Sequence, residues 1–457
     1  MKKFALFISD LILFYVSLAL VLYIRSGGYS FSAALDLHLL PFSILLLVWL
    51  LVYYIDDLYE VTALKNSSFF FANLMRANVI AGLISTAFFY ILPIYGITPK
   101  TNLLLFIIIF TGLEALARAA FNKAFGTAFR RNLIIVGLNS QSAELGHFIK
   151  KHPQIGYDLK YIVDLRDPSA ISAAEKTLGS GLPVIHGIDH LEQILSHGAL
   201  AGIVISPEAY RINEIINLLY GVLDRDIAFY NLSSFYERTT GRVPLGTINQ
   251  IWFLENLSER RKKLYGLLKR AGDVSIAVLG GIIALLITPL IILAIKYDSP
   301  GPIFYKQNRV GRLGQKFMMI KFRTMIHDAE DKTGPVWAQS DDPRVTRVGR
   351  FLRQTRLDEL PQLWTVLKGQ MSFVGPRAER PEFHKTLQAN VPFYEERYLI
   401  KPGLTGWAQI NYHYGSSVED AHKKLQYDLY YIKNRSLILD AGIMLKTIRI
   451  ALQQSGR

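Results

Sequence analysis

The stretch Leu267–Lys296, with the sequence LLKRAGDVSIAVLGGIIALLITPLIILAIK, decides how the chain is arranged. It is long enough to cross a bilayer, because about 20 mainly apolar residues suffice for a spanning helix. Pro289 stands in its middle, where the missing N–H removes a backbone hydrogen bond and predicts a break. The hydroxyl group of the preceding Thr288 can bond to a freed carbonyl group. The stretch therefore predicts a helix that is interrupted within the membrane.

Basic residues flank this stretch on both sides, and they favour the cytoplasmic face of a membrane. Lys269 and Arg270 precede its apolar part, and a longer set follows it: Lys296, Lys306, Arg309, Arg312, Lys316, Lys321 and Arg323. Both flanks are thus predicted to lie on the same face. We expect a re-entrant helix over 273–296 that enters the membrane, breaks at Pro289 and returns; an ordinary fifth span is the alternative.

The composition fits a membrane protein. Of 457 residues, 51% are hydrophobic, and the formal net charge is +14. Such a charge suits either nucleic acid or an anionic membrane with anionic substrates, and the lipid-seeking segments favour the second, with no nucleic acid. The chain has no cysteine, which excludes disulfides and thiolate catalysis. Any metal must then be held by oxygen or imidazole, and Mg²⁺ is the expected ion.

The first 125 residues predict a four-helix transmembrane domain, with spans at 4–24, 39–55, 79–94 and 103–119. The first span resembles a signal peptide, but its apolar run is too long, so we expect it to be retained. Asp10 within it is expected to bond to another helix rather than to serve a function. Arg25 and Lys100 lie in one set of loops, and the other flanks hold Lys2, Lys3, Lys65, Arg76, Arg118, Lys123, Arg130 and Arg131. This asymmetry predicts that both ends of the bundle face the cytoplasm.

The segment 130–255 predicts a Rossmann-like, doubly wound α/β domain. It opens on NLIIVGLNSQSAELGHFIKK (132–151), a strand, a turn and an amphipathic helix, and further apolar runs alternate with helical stretches. Its glycine motif is degenerate, because only Gly137 stands where three glycines would admit a pyrophosphate. A structural or assembly role is therefore favoured over nucleotide binding.

The chemistry is expected after residue 299, in a region that contains RLDELPQLWTVLKGQMSFVGPR (356–377). Its adjacent acids, Asp358 and Glu359, would ordinarily be a solvated helix face. Here a new helix is expected to start at Asp358, because Pro361 is tolerated in a first turn and Gly369 ends it. Four arginines at three-residue intervals precede the pair and predict a positive wall beside it: Arg347, Arg350, Arg353 and Arg356.

A helix N-terminus among guanidinium groups favours phosphate binding, whereas carboxylates repel phosphate unless a divalent cation or covalent chemistry is involved. The pair thus suggests Mg²⁺ that bridges a carboxylate and a pyrophosphate, with Asp358 and Glu359 as the candidate metal ligands. One of the two acids would be free to attack phosphorus. Two nearby clusters carry cations that could bind a diphosphate, although each could be an ordinary solvated surface. They are Lys321 and Arg323 after Lys316 in GQKFMMIKFRTM (314–325), and Arg377 and Arg380 in SFVGPRAERPEF (372–383).

The motifs of this region resemble those of the bacterial sugar transferase family, the monotopic phosphoglycosyl transferases that act on polyprenyl phosphate. The resemblance extends over 267–457, and the preceding helices and α/β domain are similar to those of the long-form members. The motifs that carry it are Lys269–Arg270, Pro289, SPGPIFYKQNRVG (299–311), KFRTM (321–325), the 356–377 stretch, KPGLTGWAQIN (401–411) and YDLYYIKN (427–434). The resemblance implies a mainly α-helical monotopic catalytic domain over 265–457.

The resemblance also implies an activity: transfer of a hexose 1-phosphate from a UDP-sugar to undecaprenyl phosphate, with release of UMP. This would be the first membrane step of exopolysaccharide, O-antigen or capsule synthesis, at the cytoplasmic face of a bacterial inner membrane, by a homodimer. Asp358 would be the nucleophile that forms an aspartyl phospho-sugar, and Glu359 would help to hold Mg²⁺ and manage protons. Phosphate contacts would come from Lys321, Arg353 and Arg377, and polar support of the site from Asp440.

One departure concerns the sugar. Smaller members often have Gly-Arg after GWAQIN, where this chain has Tyr412-His413. The chain resembles members that use UDP-glucose or UDP-galactose. Two alternatives stay open: a non-enzymatic export or scaffold protein, and a glycosyltransferase that uses both acids as metal ligands and releases UDP.

Overall fold

A computed structural model describes residues 2–26, 30–91, 100–124, 130–166, 180–197, 199–257, 262–327, 329, 342–412, 415 and 417–452. The chain divides into two compact units, Met1–Phe235 and Tyr236–Arg457.

The first unit begins with four long apolar helices, each long and apolar enough to cross a membrane. They are α1 (Lys2–Ser26), α2 (Phe31–Ile55), α3 (Ser68–Ile91) and α4 (Lys100–Lys123). Residues 92–94 of the predicted third span lie outside the described residues. Helix α3 begins eleven residues before the predicted Val79, because polar residues in its first half have partners. Arg76 pairs with Asp56 at 2.9 Å, and Asn78 accepts a hydrogen bond from Trp49 at 3.0 Å.

A buried ion pair joins α1 to α4. The Nη2 atom of Arg118 lies 2.7 Å from Oδ2 of Asp10, and the hydroxyl group of Tyr59 donates to the same oxygen at 2.7 Å. The expectation that Asp10 bonds to another helix is confirmed. Arg118, however, is not part of a solvated cytoplasmic flank, since its side chain is 1% exposed and lies between Asp10 and Glu114.

The rest of the first unit is an α/β region with a five-stranded parallel sheet in the order β3-β2-β1-β4-β5. This arrangement confirms the predicted alternation of strands and helices. The strands are β1 (Arg131–Val136), β2 (Tyr157–Asp164), β3 (Val184–His186), β4 (Gly202–Ile205) and β5 (Ala228–Asn231). The helices are α5 (Ser140–Lys151), α6 (Ile188–His197), α7 (Asn213–Tyr220) and α8 (Leu232–Thr240), which crosses the boundary between the units.

The turn after β1 is occupied by the chain's own side chains. Gly137 has a φ of +102°, and a Cβ atom added there would overlap the hydroxyl group of Ser206. At the start of α5 the side chain of Asn139 accepts from the N–H of Ser142 at 2.8 Å, and the Ser142 hydroxyl group in turn accepts from the N–H of Asn139 at 2.7 Å. The N–H group of Ser142 at the start of α5 is thus already bonded within the chain.

The second unit begins earlier than the catalytic domain predicted from residue 265. Residues 236–255, which the sequence analysis assigned to the α/β domain, belong to this unit and contribute apolar side chains to its core. Val243, Leu245 and Ile248 lie there with Leu425 and Leu429. The apolar pattern of this segment does not reveal which unit it covers, because its partners lie far along the chain. The helix α9 (Gln250–Asn256) closes the segment.

The stretch that contains Pro289 forms one helix, α10 (Lys263–Asp298), of 36 residues. The helical backbone continues through Thr288 and Pro289, so the structure does not show the predicted interruption of the helix. The Thr288 hydroxyl group donates to the carbonyl of Ala284 at 2.7 Å, and not to the carbonyl of Leu285 that Pro289 leaves without its usual donor. A proline is accommodated in such a helix where neighbouring groups keep the backbone bonded.

Both ends of α10 contact the same unit. Near its start Asp273 accepts from the N–H of Phe373 at 3.1 Å, and near its end Asp298 accepts from the N–H of Val348 at 2.8 Å. Between these contacts the helix presents apolar side chains that are more than half exposed: Leu279, Ile282, Ile283, Leu285, Leu286, Leu290 and Leu293. The helix thus has an apolar middle section between two ends that are attached to one body.

The remaining elements follow α10 along the chain. The strands are β6 (Phe304–Val310) and β7 (Lys316–Phe322), an antiparallel hairpin, and β8 (Ser372–Val374) and β9 (Gly403–Thr405), a parallel pair. The helices are α11 (Arg347–Gln354), α12 (Gln362–Leu367), α13 (Pro381–Asn390), α14 (Trp407–Asn411), α15 (Val418–Asn434) and α16 (Leu437–Leu452).

Candidate active site

The acidic pair lies in a tight turn between α11 and α12. Arg356 has a left-handed backbone with a φ of +60°, which ends α11, and a 3₁₀ turn over Leu357–Glu359 follows. Pro361 then precedes the first residue of α12, and Gly369, with a φ of +78°, follows its end. The predicted stop at Gly369 is confirmed, whereas the α-helix begins at Gln362, after the 3₁₀ turn, and not at Asp358. The turn buries Asp358 and leaves Glu359 partly accessible.

Lys321 reaches this turn from β7. Its Nζ atom donates to Oε1 of Glu359 at 2.7 Å and lies 3.9 Å from Oδ2 of Asp358. Because side chains alternate along a strand, the flanking Phe322 packs into the core while Lys321 faces the acids. One ammonium group therefore lies within ion-pair distance of both carboxylates.

Only part of the predicted arginine row faces the pair. Arg353 donates from Nε to the hydroxyl group of Thr324 at 2.8 Å, and Arg356 lies 3.8 Å from Oε1 of Glu359. Arg347 and Arg350 are exposed. Because Arg356 leaves the helical conformation, the row does not continue as one helix face.

Arg377 completes the positive side of the site from the loop after β8. Its Nη2 atom lies 4.0 Å from Oε1 of Glu359, and its side chain is about one third exposed. Cations from three separate segments thus converge on one carboxylate: Lys321, Arg356 and Arg377.

The surroundings give the two acids different properties. Burial raises the pKa of Asp358, which the nearby Lys321 opposes and the charge of Glu359 reinforces. Burial alone would raise the pKa of Glu359 too, but Lys321, Arg377 and Arg356 together lower it to about 2. Glu359 is therefore ionised at neutral pH. Pairs of acids whose pKa values are shifted in opposite directions are typical of catalytic sites.

The acidic pair fits a hard cation. Oδ1 of Asp358 is buried and has no hydrogen-bond partner among the described residues. Within those residues no group of three or more acidic or histidine side chains could hold a metal. Mg²⁺ commonly uses one or two carboxylates and completes its shell with water and substrate phosphate. Asp358 and Glu359 are thus the donors that this site can offer.

Two predicted site residues have structural partners instead. Arg323 is buried and donates from Nη2 to the carbonyl of Ser299 and from Nη1 to that of Pro300, both at 2.7 Å, so it holds the end of α10. Asp440 accepts from Tyr431 at 2.6 Å and from Lys269 at 2.9 Å. The structure does not bring either side chain to the acidic pair. The charge of Arg323 suggested diphosphate binding, and the resemblance implied that Asp440 supports the site; here both side chains bond to the protein groups named above.

Arg380 lies in the same loop as Arg377. Its Nε atom is 3.5 Å from Glu382, and its guanidinium group lies 5.6 Å from the ring centre of Phe383. Its charge adds to that of a third arginine, Arg309 on β6. Burial, followed by Arg377 and Arg380, lowers the pKa of Arg309 to about 10. Sequence analysis placed Arg309 only among the basic flanks, because its proximity to the loop depends on the folding of the hairpin.

Apolar helices joined to a unit with an acidic pair in a basic cluster place the chain among membrane proteins with a paired-carboxylate site. Residues 264–454 match the family described as bacterial sugar transferase. The chain belongs to the bacterial sugar transferase family.

Several relatives support this assignment. One is the UDP-glucose:undecaprenyl-phosphate glucose-1-phosphate transferase of Xanthomonas campestris pv. campestris, 32% identical over 71% of this chain and 67% of the relative. Another is the UDP-N-acetylgalactosamine-undecaprenyl-phosphate N-acetylgalactosaminephosphotransferase of Aeromonas hydrophila, 40% identical over 50% of this chain and 53% of the relative. The UDP-glucose:undecaprenyl-phosphate glucose-1-phosphate transferase of Escherichia coli K12 is 43% identical over 40% of this chain and 39% of the relative. The chain therefore spans about half of the Aeromonas protein, and the relatives differ in their sugar.

Proposed function

We propose that this protein transfers a sugar 1-phosphate from a UDP-sugar to undecaprenyl phosphate and releases UMP. The observation that carries the proposal is the acidic pair Asp358–Glu359 at a turn that Lys321, Arg356 and Arg377 surround. The names of two relatives specify sugar phosphate transfer to undecaprenyl phosphate, with glucose in one and N-acetylgalactosamine in the other. UDP-glucose or UDP-galactose stays our predicted donor.

In the first step, an Asp358 oxygen attacks the β-phosphorus of the UDP-sugar. The new O–P bond forms as the bond to the UMP oxygen breaks, and UMP leaves with that electron pair. In the second step, an oxygen of undecaprenyl phosphate attacks the same phosphorus, and Asp358 is released as a carboxylate. The covalent route separates two anionic partners in time, so their charges are not brought together at once.

The cations that surround the pair would stabilise the charge that develops at each step. Arg353, Arg377 and Lys321 offer donors to phosphate oxygens, and fixed donors in a site that excludes water act most strongly on a transition state. Glu359 holds Lys321 at 2.7 Å and so places that ammonium group beside Asp358. Mg²⁺ held by Asp358 and Glu359 would neutralise negative charge on the phosphate oxygens.

We further propose that α10 is re-entrant and that the second unit lies on the cytoplasmic face of a bacterial inner membrane. A straight helix of 36 residues would be about 54 Å long at 1.5 Å per residue, more than the hydrocarbon core of about 30 Å. A return to the starting face therefore requires a bend, and we place this bend at Pro289 within the helix. Contacts of Asp273 and Asp298 with one unit support the return of the helix to its starting face. A homodimer and a role in exopolysaccharide or lipopolysaccharide synthesis stay predictions.

The activity is tested by nucleotide release from purified protein in nanodiscs with Mg²⁺, undecaprenyl phosphate and a panel of UDP-sugars. UMP release with one donor would support the proposal and identify the sugar. UDP release would instead indicate a glycosyltransferase, and no nucleotide release with any donor would favour the scaffold alternative.

The course of α10 is tested by cysteine labelling, which the absence of native cysteine makes simple. Single cysteines at Lys263 and Tyr297 stand at exposed positions near the two ends of the helix. We expect a membrane-impermeant maleimide to label both only from the cytoplasmic side. Ser30→Cys, in the loop between α1 and α2, is the matched control and should be labelled from the opposite side. Labelling of the two helix ends from different sides would establish a straight span instead.

A further inference from the structure

The loop Gly375–Arg380, here called the GPR loop, has its backbone held from outside. Four consecutive carbonyl groups, those of residues 376–379, each accept a hydrogen bond from a donor elsewhere in the second unit. The donors, in order, are the N–H of Gly403 at 2.9 Å, Nη2 of Arg397 at 3.1 Å, Nη1 of Arg309 at 3.0 Å and the N–H of Val310 at 2.9 Å. A surface loop would ordinarily leave such carbonyls to water, so this one is built to keep a single conformation.

Arg397 is itself fixed by buried partners. Its Nη2 atom lies 2.8 Å from Oδ2 of Asp428, and its Nε atom donates to the same oxygen at 3.1 Å. Nη1 donates to the hydroxyl group of Tyr394 at 2.6 Å. Both members of the ion pair are almost fully buried, with side-chain exposures of 6% and 2%. Arg397 therefore connects a rigid part of α15 to the carbonyl of Arg377.

Arg309 acts on the next residue of the loop and also adds charge. Its Nη2 atom donates to Gln307 at 2.6 Å, while Nη1 reaches the carbonyl of Ala378. The bond to Ala378 places Arg309 against the loop that carries Arg377 and Arg380, and burial together with the charges of these two arginines lowers its pKa. Like charges at short range repel each other, and a loosely held loop would let them separate. Held in place, they are preorganised for an anion.

We propose that Arg397 and Arg309 are positioning residues that fix the GPR loop so that Arg377 and Arg380 meet the diphosphate of a nucleotide sugar. The identity of that ligand rests on the proposed function, whereas the positioning rests on the contacts above. The two residues act through the backbone of the loop and not by contact with the reacting atoms.

Arg397→Lys is the main test, because lysine keeps the charge and can pair with Asp428 but cannot fork to the Arg377 carbonyl as well. We expect kcat/KM for the UDP-sugar to fall by about 10- to 100-fold, since small misplacements of binding groups have such effects. The affinity for UDP, measured by calorimetry, should fall in parallel. Arg312→Lys is the matched control: Arg312 is exposed and donates to the carbonyl of Leu399, outside the loop. Its kinetics should match the wild type.

Hydrogen exchange separates positioning from general stability. The amides of Val310 and Gly403 donate to loop carbonyls, so a loosened loop should speed exchange in the two segments that contain them. We expect this local effect in Arg397→Lys, with exchange of α12 unchanged. A variant with a lower melting temperature, uniformly faster exchange and unaltered KM and UDP affinity would overturn the proposal.

A double variant gives a second check. If Arg397 acts only through the GPR loop, Arg397→Lys should add little to the defect of Arg377→Ala, because coupled residues are not additive. Full additivity of the two defects would contradict the proposal. If Arg397→Lys does not fold, the same measurements are made on Arg309→Lys. If the wild type releases no UMP but UDP binding still weakens in these variants, the proposed function fails while the positioning role stands.

Discussion

Replacing Asp358 by asparagine is expected to abolish UMP release, with a loss on the order of 10⁴-fold or more, as loss of a covalent nucleophile causes in other enzymes. Asparagine keeps the size of the side chain but cannot form a stable bond to phosphorus. Oδ1 of Asp358 has no hydrogen-bond partner among the described residues, so the substitution breaks no described bond of that atom. Nucleotide release and thermal unfolding should be measured on the same preparation.

The stability of this variant is expected to match or exceed that of the wild type. Burial disfavours the charged form of Asp358, and an amide removes that cost. Loss of activity together with undiminished melting temperature would separate a chemical role from a structural one. Glu419→Gln is the matched control, since Glu419 is 76% exposed and pairs only at the surface with Lys423. It should leave both quantities unchanged.

The covalent step has its own readout. With a UDP-sugar labelled at the β-phosphate and no lipid acceptor, the label should stay on wild-type protein and be absent from Asp358→Asn. Undecaprenyl phosphate should then remove the label from the wild type. Full activity in the variant, or label that stays on it, would return the acidic pair to the role of metal ligands.

Local signals in the sequence predicted the short helix after the acidic pair, although its start was expected at Asp358. Pro361 and Gly369 act on the backbone within a few residues of themselves, so their positions define α12 without knowledge of the rest of the fold. The same holds for the long apolar helices, whose length alone marks them. Pro289 shows the limit of this reasoning. A proline is expected to interrupt a helix, but the helical backbone of α10 continues through this residue.

Distant partners explain which contacts the sequence analysis did not predict. Arg323 has the charge of a phosphate ligand, yet it holds the backbone at Ser299, 24 residues away. Arg309 reaches Ala378 across 69 residues, and no local pattern predicts that contact. The type of a side chain indicates what it can bind, whereas the fold determines whether it is already hydrogen-bonded to another group of the protein.

The second large effect is expected in the membrane bundle, where Arg118→Met should lower the free energy of unfolding by about 3–5 kcal/mol. Arg118 is 1% exposed and pairs with Asp10, which is 2% exposed. Removing the cation alone leaves a buried carboxylate without its partner. The change is measured as a lower melting temperature of the full chain in nanodiscs.

Lys3→Met is the control for the loss of a positive charge near the same helix. Lys3 pairs with Glu60 at 2.8 Å, but both side chains are accessible, with exposures of 56% and 32%. An exposed pair of this kind contributes about 0–1 kcal/mol. The control should therefore unfold close to the wild-type temperature.

Removing both charges distinguishes pairing from any separate role of Arg118. Buried ion pairs replaced by apolar residues of similar volume often leave stability unchanged or improved, because both desolvation costs disappear together. The double variant Asp10→Leu with Arg118→Met should then recover most of the stability that Arg118→Met loses. If it is no more stable than the single variant, the hydrogen bond of Arg118 to the carbonyl of Leu58 holds α4 in place, and the pair with Asp10 is secondary.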